Sequence, residues 1–76
     1  MFNELDTVVL ANDLKNLKLT RGDVGTVVHC YLGGKAYEVE FVTGEGKTVA
    51  VITLEQSDIR PMQRQEILHV RMYATA

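Results

Sequence analysis

The chain has 76 residues, of which 46% are hydrophobic and 24% are charged. This composition is typical of one small globular domain, so it excludes a disordered chain and leaves no room for a separate cofactor domain. No apolar run exceeds four residues, so no membrane span is expected. The net charge of -2 disfavours a nucleic-acid partner unless a local basic patch holds it.

Two features lead us to expect a cytoplasmic location. Residues 1–4 do not form a basic and then apolar leader. The single cysteine, Cys30, cannot form a disulfide within the chain, which is consistent with a reducing compartment. The chain has only two histidines and one cysteine, so we do not expect a metal site. We expect no other cofactor either.

Runs rich in β-branched residues predict an all-β fold with five strands. In chain order these are residues 7–10, 24–31, 36–42, 48–54 and 59–61. The third strand alternates strictly, which predicts that Tyr37 and Phe41 face the core while Glu38 and Glu40 face solvent. Pro61 lacks an N–H donor, which predicts that the fifth strand lies at a sheet edge.

The connections carry their own signals. Residues 13–21 predict an irregular loop, with a single helical turn as the alternative. Gly33 and Gly34 supply the positive φ values of a hairpin turn at residues 32–35. Gly25, inside the second strand, predicts an unusual backbone conformation or a close contact that a Cβ would disturb.

Residues 62–76 form a C-terminal tail whose secondary structure is ambiguous. Leu68, Val70 and Met72 alternate with His69 and Arg71 as in a strand, whereas residues 63–66 are good helix formers, so a strand or a short helix is predicted. The tail also concentrates large apolar side chains, which makes it the candidate oligomer contact: Ile67, Leu68, Val70, Met72 and Tyr73. We expect it to dock on an exposed strand edge, and we predict a homodimer with exchanged tails over docking on the same chain.

The hexapeptide TGEGKT at residues 43–48 resembles the end of a phosphate-binding loop. Phe41 stands where the first glycine of that motif belongs, and a strand follows instead of a helix, so we interpret the hexapeptide as a hairpin turn. Two pairs of neighbouring polar residues are equally weak evidence for a catalytic site. His29 and Cys30 are neighbours on a strand and point to opposite faces, and the Glu38 and Glu40 pair is common on a solvated strand. No catalytic residue is predicted.

Four stretches carry a family resemblance: LDTVVL at 5–10, GDVGTVVH at 22–29, GGKAYEVEF at 33–41 and TLEQSDIRP at 53–61. They resemble the SH3-like barrels and, more closely, a family of small bacterial proteins known as domain of unknown function 4926. The SH3-like domain of the nitrile hydratase β subunit and the KOW modules are similar more loosely. The resemblance implies a small SH3-like five-stranded barrel over residues 1–61 with a C-terminal extension, and a compact accessory protein, with an immunity or antitoxin-type role conceivable.

We therefore predict a small non-catalytic protein–protein interaction module and not an enzyme. If the module binds as other SH3-like folds do, Tyr31 is the candidate anchor, with His29 on the same strand face and Arg60 as a neighbour. The alternative is a KOW-like RNA or ribosome-associated module that uses the basic loop residues Lys15, Lys18 and Arg21. A third class is a structural subunit of an enzyme complex.

Overall fold

The computed structural model describes residues 1–73 of the chain. Five strands form one antiparallel sheet in the order β4-β3-β2-β1-β5: β1 Thr7–Leu10, β2 Val24–Cys30, β3 Tyr37–Val42, β4 Thr48–Leu54 and β5 Ile59–Pro61. Three short 3-10 turns connect them: Lys15–Leu17, Leu32–Gly34 and Gln56–Asp58. The predicted all-β class is confirmed, and the predicted bounds differ by one residue at the end of β2 and at the start of β3.

The single sheet encloses its own core. The alternating residues Tyr37, Val39 and Phe41 of β3 are buried as predicted, and they share one cluster with side chains from every other strand. A sheet can bury its inner face without a second layer only by curving around that face. The result resembles a barrel, although β4 and β5 stand at opposite ends of the strand order and the sheet is not closed.

Local chemistry explains the turns. The N–H of Tyr31 donates to the carbonyl of Ala36 (3.0 Å), and Gly33 and Gly34 take the expected positive φ values of 76° and 66°. Between β1 and β2 the chain makes one 3-10 turn that ends at Lys18 in a left-handed conformation (φ 59°). Leu19 then returns to the core and is buried.

The tail departs from both predicted conformations. Apart from a turn at residues 64–65, residues 62–73 form neither a strand nor a helix. Within residues 62–73 the Glu66 N–H donates to the Gln63 carbonyl, and no hydrogen bond between two backbone groups joins these residues to residues 1–61. Residues 62–73, called the strap below, are held instead by side chains, so neither a ladder nor a helical repeat defines them.

Candidate functional site

The strap lies against the outer face of the sheet. Val8 and Leu10 point into the core, so Val9 between them points the opposite way, yet only 4% of Val9 is exposed. A depression of about 380 Å³ beside it is lined by residues of the sheet and of the strap, among them Val9, Val24, Arg60, Met62 and Leu68. The strap therefore lines a depression beside Val9, outside the core.

Arg71 and Tyr73 attach the far end of the strap to its own chain. The Arg71 Nε donates to Asp23 Oδ1 (2.9 Å), and its Nη2 donates to Asp23 Oδ2 and to the carbonyl of Lys18. The Tyr73 hydroxyl donates to the Leu17 carbonyl (2.9 Å). Partial burial raises the pKa of Asp23, but hydrogen bonds from Arg71 and Thr20 outweigh it, so that pKa lies below its ordinary value.

Arg60 and Glu66 attach the near end. Arg60 donates from both terminal nitrogens to the two carboxylate oxygens of Glu66, at 2.9 and 2.7 Å, and the Gln63 N–H donates to the same carboxylate. The geometry is that of a bidentate guanidinium–carboxylate pair, the most directional ion pair available to proteins. Two ionic contacts thus bracket residues 67–70.

Acid should release this near contact. The Arg60 hydrogen bonds and the Gln63 N–H lower the pKa of Glu66 from 4.5 to about 2. Because the pKa is lower in the folded chain, the contribution of the pair is complete above pH 4.5 and is lost as the pH falls toward about 2. An NMR titration of the Glu66 carboxyl carbon should give a midpoint near 2. Arg60→Gln is the control and should return that midpoint toward 4.5; a parent midpoint near 4.5 would contradict the pairing.

Between the two ionic contacts, and just beyond the second, the strap presents apolar side chains to water. Ile67, Leu68, Val70 and Met72 are between 67% and 91% exposed. Tyr73, the fifth residue of the predicted oligomer contact, differs from them because it packs against the core cluster. The strap thus exposes four large apolar side chains close together in sequence.

The predicted partner-binding trio divides between two places. The rings of His29 and Tyr31 meet edge-on with centroids 4.8 Å apart, and Tyr31 is 43% exposed. Tyr31 lines a second depression, of about 420 Å³, with Met1, Phe2 and Leu32. Arg60 lies in β5, which is separated from β2 by β1, and it lines the other depression instead. His29 and Tyr31 form one patch, and Arg60 belongs to the strap.

His29 and Cys30 are adjacent in sequence, but their side chains have different surroundings. His29 pairs with Glu38 on the outer face, whereas Cys30 pairs with the buried Tyr37, and the Cys30 thiol donates to the Phe2 carbonyl (3.5 Å). The adjacent histidine and cysteine therefore lie on opposite faces. Within residues 1–73 no group of three or more potential ligands is placed to hold a metal ion, and no helix has the length and apolarity to cross a membrane.

The basic loop carries its own carboxylates. The Arg21 N–H donates to Asp13 Oδ1 (2.8 Å), and Asp23 receives hydrogen bonds from Thr20 and Arg71. Asp13 and Asp23 thus lie beside the lysines and arginine of residues 15–21.

The TGEGKT hexapeptide is a hairpin turn between β3 and β4. The Thr43 N–H donates to the Lys47 carbonyl (2.9 Å), Gly46 has a positive φ of 86°, and Lys47 is exposed. We expect Lys47→Ala to change the free energy of unfolding by no more than about 0.5 kcal/mol, as for other exposed substitutions. Isothermal titration with ATP and GTP should show no binding to either protein. Saturable binding lost in the variant would contradict the assignment as a turn.

These features define a class: a small all-β domain with one curved antiparallel sheet and an apolar C-terminal strap. The chain belongs to the family described as Domain of unknown function (DUF4926), whose model matches residues 4–61. The matched range runs from just before β1 to the end of β5, and the strap lies outside it. No curated protein and no solved structure matches the chain.

Proposed function

We propose that the chain is a small, non-catalytic protein–protein interaction module that forms a homodimer through the strap. The exposed apolar segment at residues 67–72 is the observation that carries this proposal. Its apolar side chains, Ile67, Leu68, Val70 and Met72, are 67% to 91% exposed, although the ion pairs of Glu66 and Arg71 hold the segment on its own chain. A second copy that covers these side chains removes apolar surface from water, the dominant favourable term in protein association.

Removing the strap tests the proposal. We expect the full-length chain to sediment as a dimer, and the chain ending at Pro61 to sediment as a monomer with its β-sheet circular dichroism retained. A monomeric full-length chain at high concentration, or a dimeric truncated chain, would show that the strap is not the oligomer contact.

A double substitution provides the matched test. Leu68→Ser with Val70→Ser changes two exposed side chains and leaves Glu66, Arg71 and Tyr73 in place. It should weaken the dimer with little change in the melting temperature of the sheet, whereas truncation also uncovers Val9. If the double variant dimerises as tightly as the parent, apolar burial by the strap does not drive association.

RNA binding has less support from the geometry because Asp13 and Asp23 lie among the basic loop residues. Its signature is distinct. Binding of the purified protein to RNA that weakens steeply with salt and is lost in a Lys15, Lys18 and Arg21 to Ala triple variant would favour the KOW-like alternative.

A further inference from the structure

Within the described chain, β4 has one long edge that is not paired with another strand. β4 is the last strand in the sheet order, and its seven residues, TVAVITL, contain no charged residue and no proline. β5, at the other end of the order, has three residues and ends in Pro61. A long, uncharged edge strand is a template for pairing with another strand, and β4 has only a register irregularity near Thr48 to discourage it.

Both faces of that edge are incomplete. On the inner face, Ala50 and Ile52 pack on the core but are only partly buried. On the outer face, Glu40 accepts a hydrogen bond from the Thr48 hydroxyl (2.7 Å), and Glu38 accepts one from the Thr53 hydroxyl. Neither carboxylate forms an ion pair within residues 1–73. A strand that fits beside β4 therefore has apolar residues on one face and cations on the other.

The strap contains a segment with this pattern. Leu68, Val70 and Met72 alternate with His69 and Arg71, and residues 67–73 make no hydrogen bond between two backbone groups within the described chain. In an antiparallel strand pair, residues directly opposite each other point to the same face. Apolar side chains of the segment can thus extend the core over Ala50 and Ile52, with the basic ones on the side of Glu38 and Glu40.

We propose that residues 68–72 of one chain add to the free edge of β4 in a second copy as an antiparallel strand, with Val70 opposite Ile52 of the partner subunit. The proposal rests on the proposed function, in which the strap is the homodimer contact, and it names the surface that the strap binds. In this register Arg71 is opposite Val51 and His69 is opposite Thr53. Val51 pairs with Glu40 on β3, and Thr53 pairs with Glu38, so each basic side chain is aligned with a carboxylate.

The structure then represents the closed form of the single chain. Arg71 bound to Asp23 and Tyr73 bound to Leu17 hold residues 68–72 on their own sheet, and these contacts must open before the segment reaches a partner. Arg60 and Glu66 precede the segment and stay paired in either form. Dimerisation is thus a competition for Arg71 between Asp23 of its own chain and Glu40 of the partner subunit.

A charge at the free edge tests the site in the full-length chain. Val51, 49% exposed at the centre of β4, should not tolerate lysine when another strand pairs beside it, so Val51→Lys should raise the dimer dissociation constant at least about tenfold. Val42→Lys is the matched control because Val42 is 52% exposed at the end of β3, away from the edge. It should dimerise like the parent.

The competition predicts opposite signs for two neutral replacements. Asp23→Asn should tighten the dimer about threefold because it weakens the closed form, whereas Glu40→Gln should loosen it by a similar factor. If Asp23→Asn loosens the dimer, the closed contact is part of the dimer and the exchange is wrong.

A disulfide fixes the register. In a Cys30→Ser background, a Thr53→Cys chain mixed with a His69→Cys chain should form a mixed disulfide, because opposite Cα atoms of antiparallel strands lie about 4.5 to 5.5 Å apart. Val42→Cys mixed with His69→Cys should not. If Val51→Lys and this cross-link both fail while truncation after Pro61 still abolishes the dimer, the β4 site is wrong and the proposed function stands. A monomeric full-length chain overturns both.

Discussion

Replacing Gly25 with valine is expected to lower the free energy of unfolding by about 3 kcal/mol, at the upper end of the usual cost of overpacking. Gly25 is buried opposite Val8, and a Cβ placed on it would lie 2.7 Å from Val39 Cγ1, 2.9 Å from Phe41 Cε1 and 3.0 Å from the Glu40 carbonyl oxygen. The backbone oxygen cannot turn aside as a side chain would, so β2 and β3 must separate. Urea unfolding of parent and variant measures the loss.

Gly44→Val is the matched control for that substitution. Gly44 lies in the turn between β3 and β4, its φ is not positive, and a Cβ there meets nothing within 4 Å. We expect a change within about 0.5 kcal/mol. Equal unfolding midpoints for Gly25→Val and the parent would show that the contact with β3 can relax.

Gly25 also shows how far sequence reasoning extends. A glycine inside a strand pattern indicates either an unusual backbone or a close contact, and the sequence does not distinguish them. In the structure Gly25 has no positive φ, and the crowding comes from the Val39 and Phe41 side chains and the Glu40 carbonyl of β3. Those neighbours are 14 to 16 residues away along the chain, and their distance from Gly25 depends on the bend of the sheet, which no local pattern specifies.

Strand positions were predicted well because their causes are local. The alternation around Tyr37 and the missing N–H of Pro61 act through the residues themselves. The burial of Val9 also has a local signal, because Val8, Val9 and Leu10 form a continuous apolar run, which is typical of a strand covered on both faces. That signal indicates a cover over Val9 but does not identify it as the strap.

The strap itself could not be derived from periodicity. Its contacts join Arg71 to Asp23 and Tyr73 to Leu17, across 48 and 56 residues. Each of the three arginines of the region, Arg60, Arg64 and Arg71, has several carboxylates available in the sequence, so the pairs follow only from the folded sheet. For the same reason the sequence predicts Arg60 as a neighbour of Tyr31, whereas the structure places Arg60 beside Glu66.

Tyr37→Ala is expected to have the largest effect of any single core truncation, because Tyr37 is the largest of the fully buried side chains. Its ring meets the Phe2 ring edge-on with centroids 5.4 Å apart, and its hydroxyl accepts a hydrogen bond from the Phe2 N–H (3.3 Å). Loss of the ring leaves a cavity and frees the N-terminal segment, at a cost of about 4 kcal/mol. The melting temperature should fall by at least about 15 °C.

Two matched variants separate the parts of this effect. Tyr37→Phe keeps the ring and removes the acceptor for the Phe2 N–H, so it should cost about 1 kcal/mol. Tyr31→Ala removes an aromatic ring that is 43% exposed, beside His29, and should lower the melting temperature by only a few degrees. The two tyrosines thus differ in burial, because Tyr37 lies in the core whereas Tyr31 is exposed. Calorimetry of the three variants measures this difference, and equal losses for Tyr31→Ala and Tyr37→Ala would place Tyr31 in the core and remove it from the candidate partner surface.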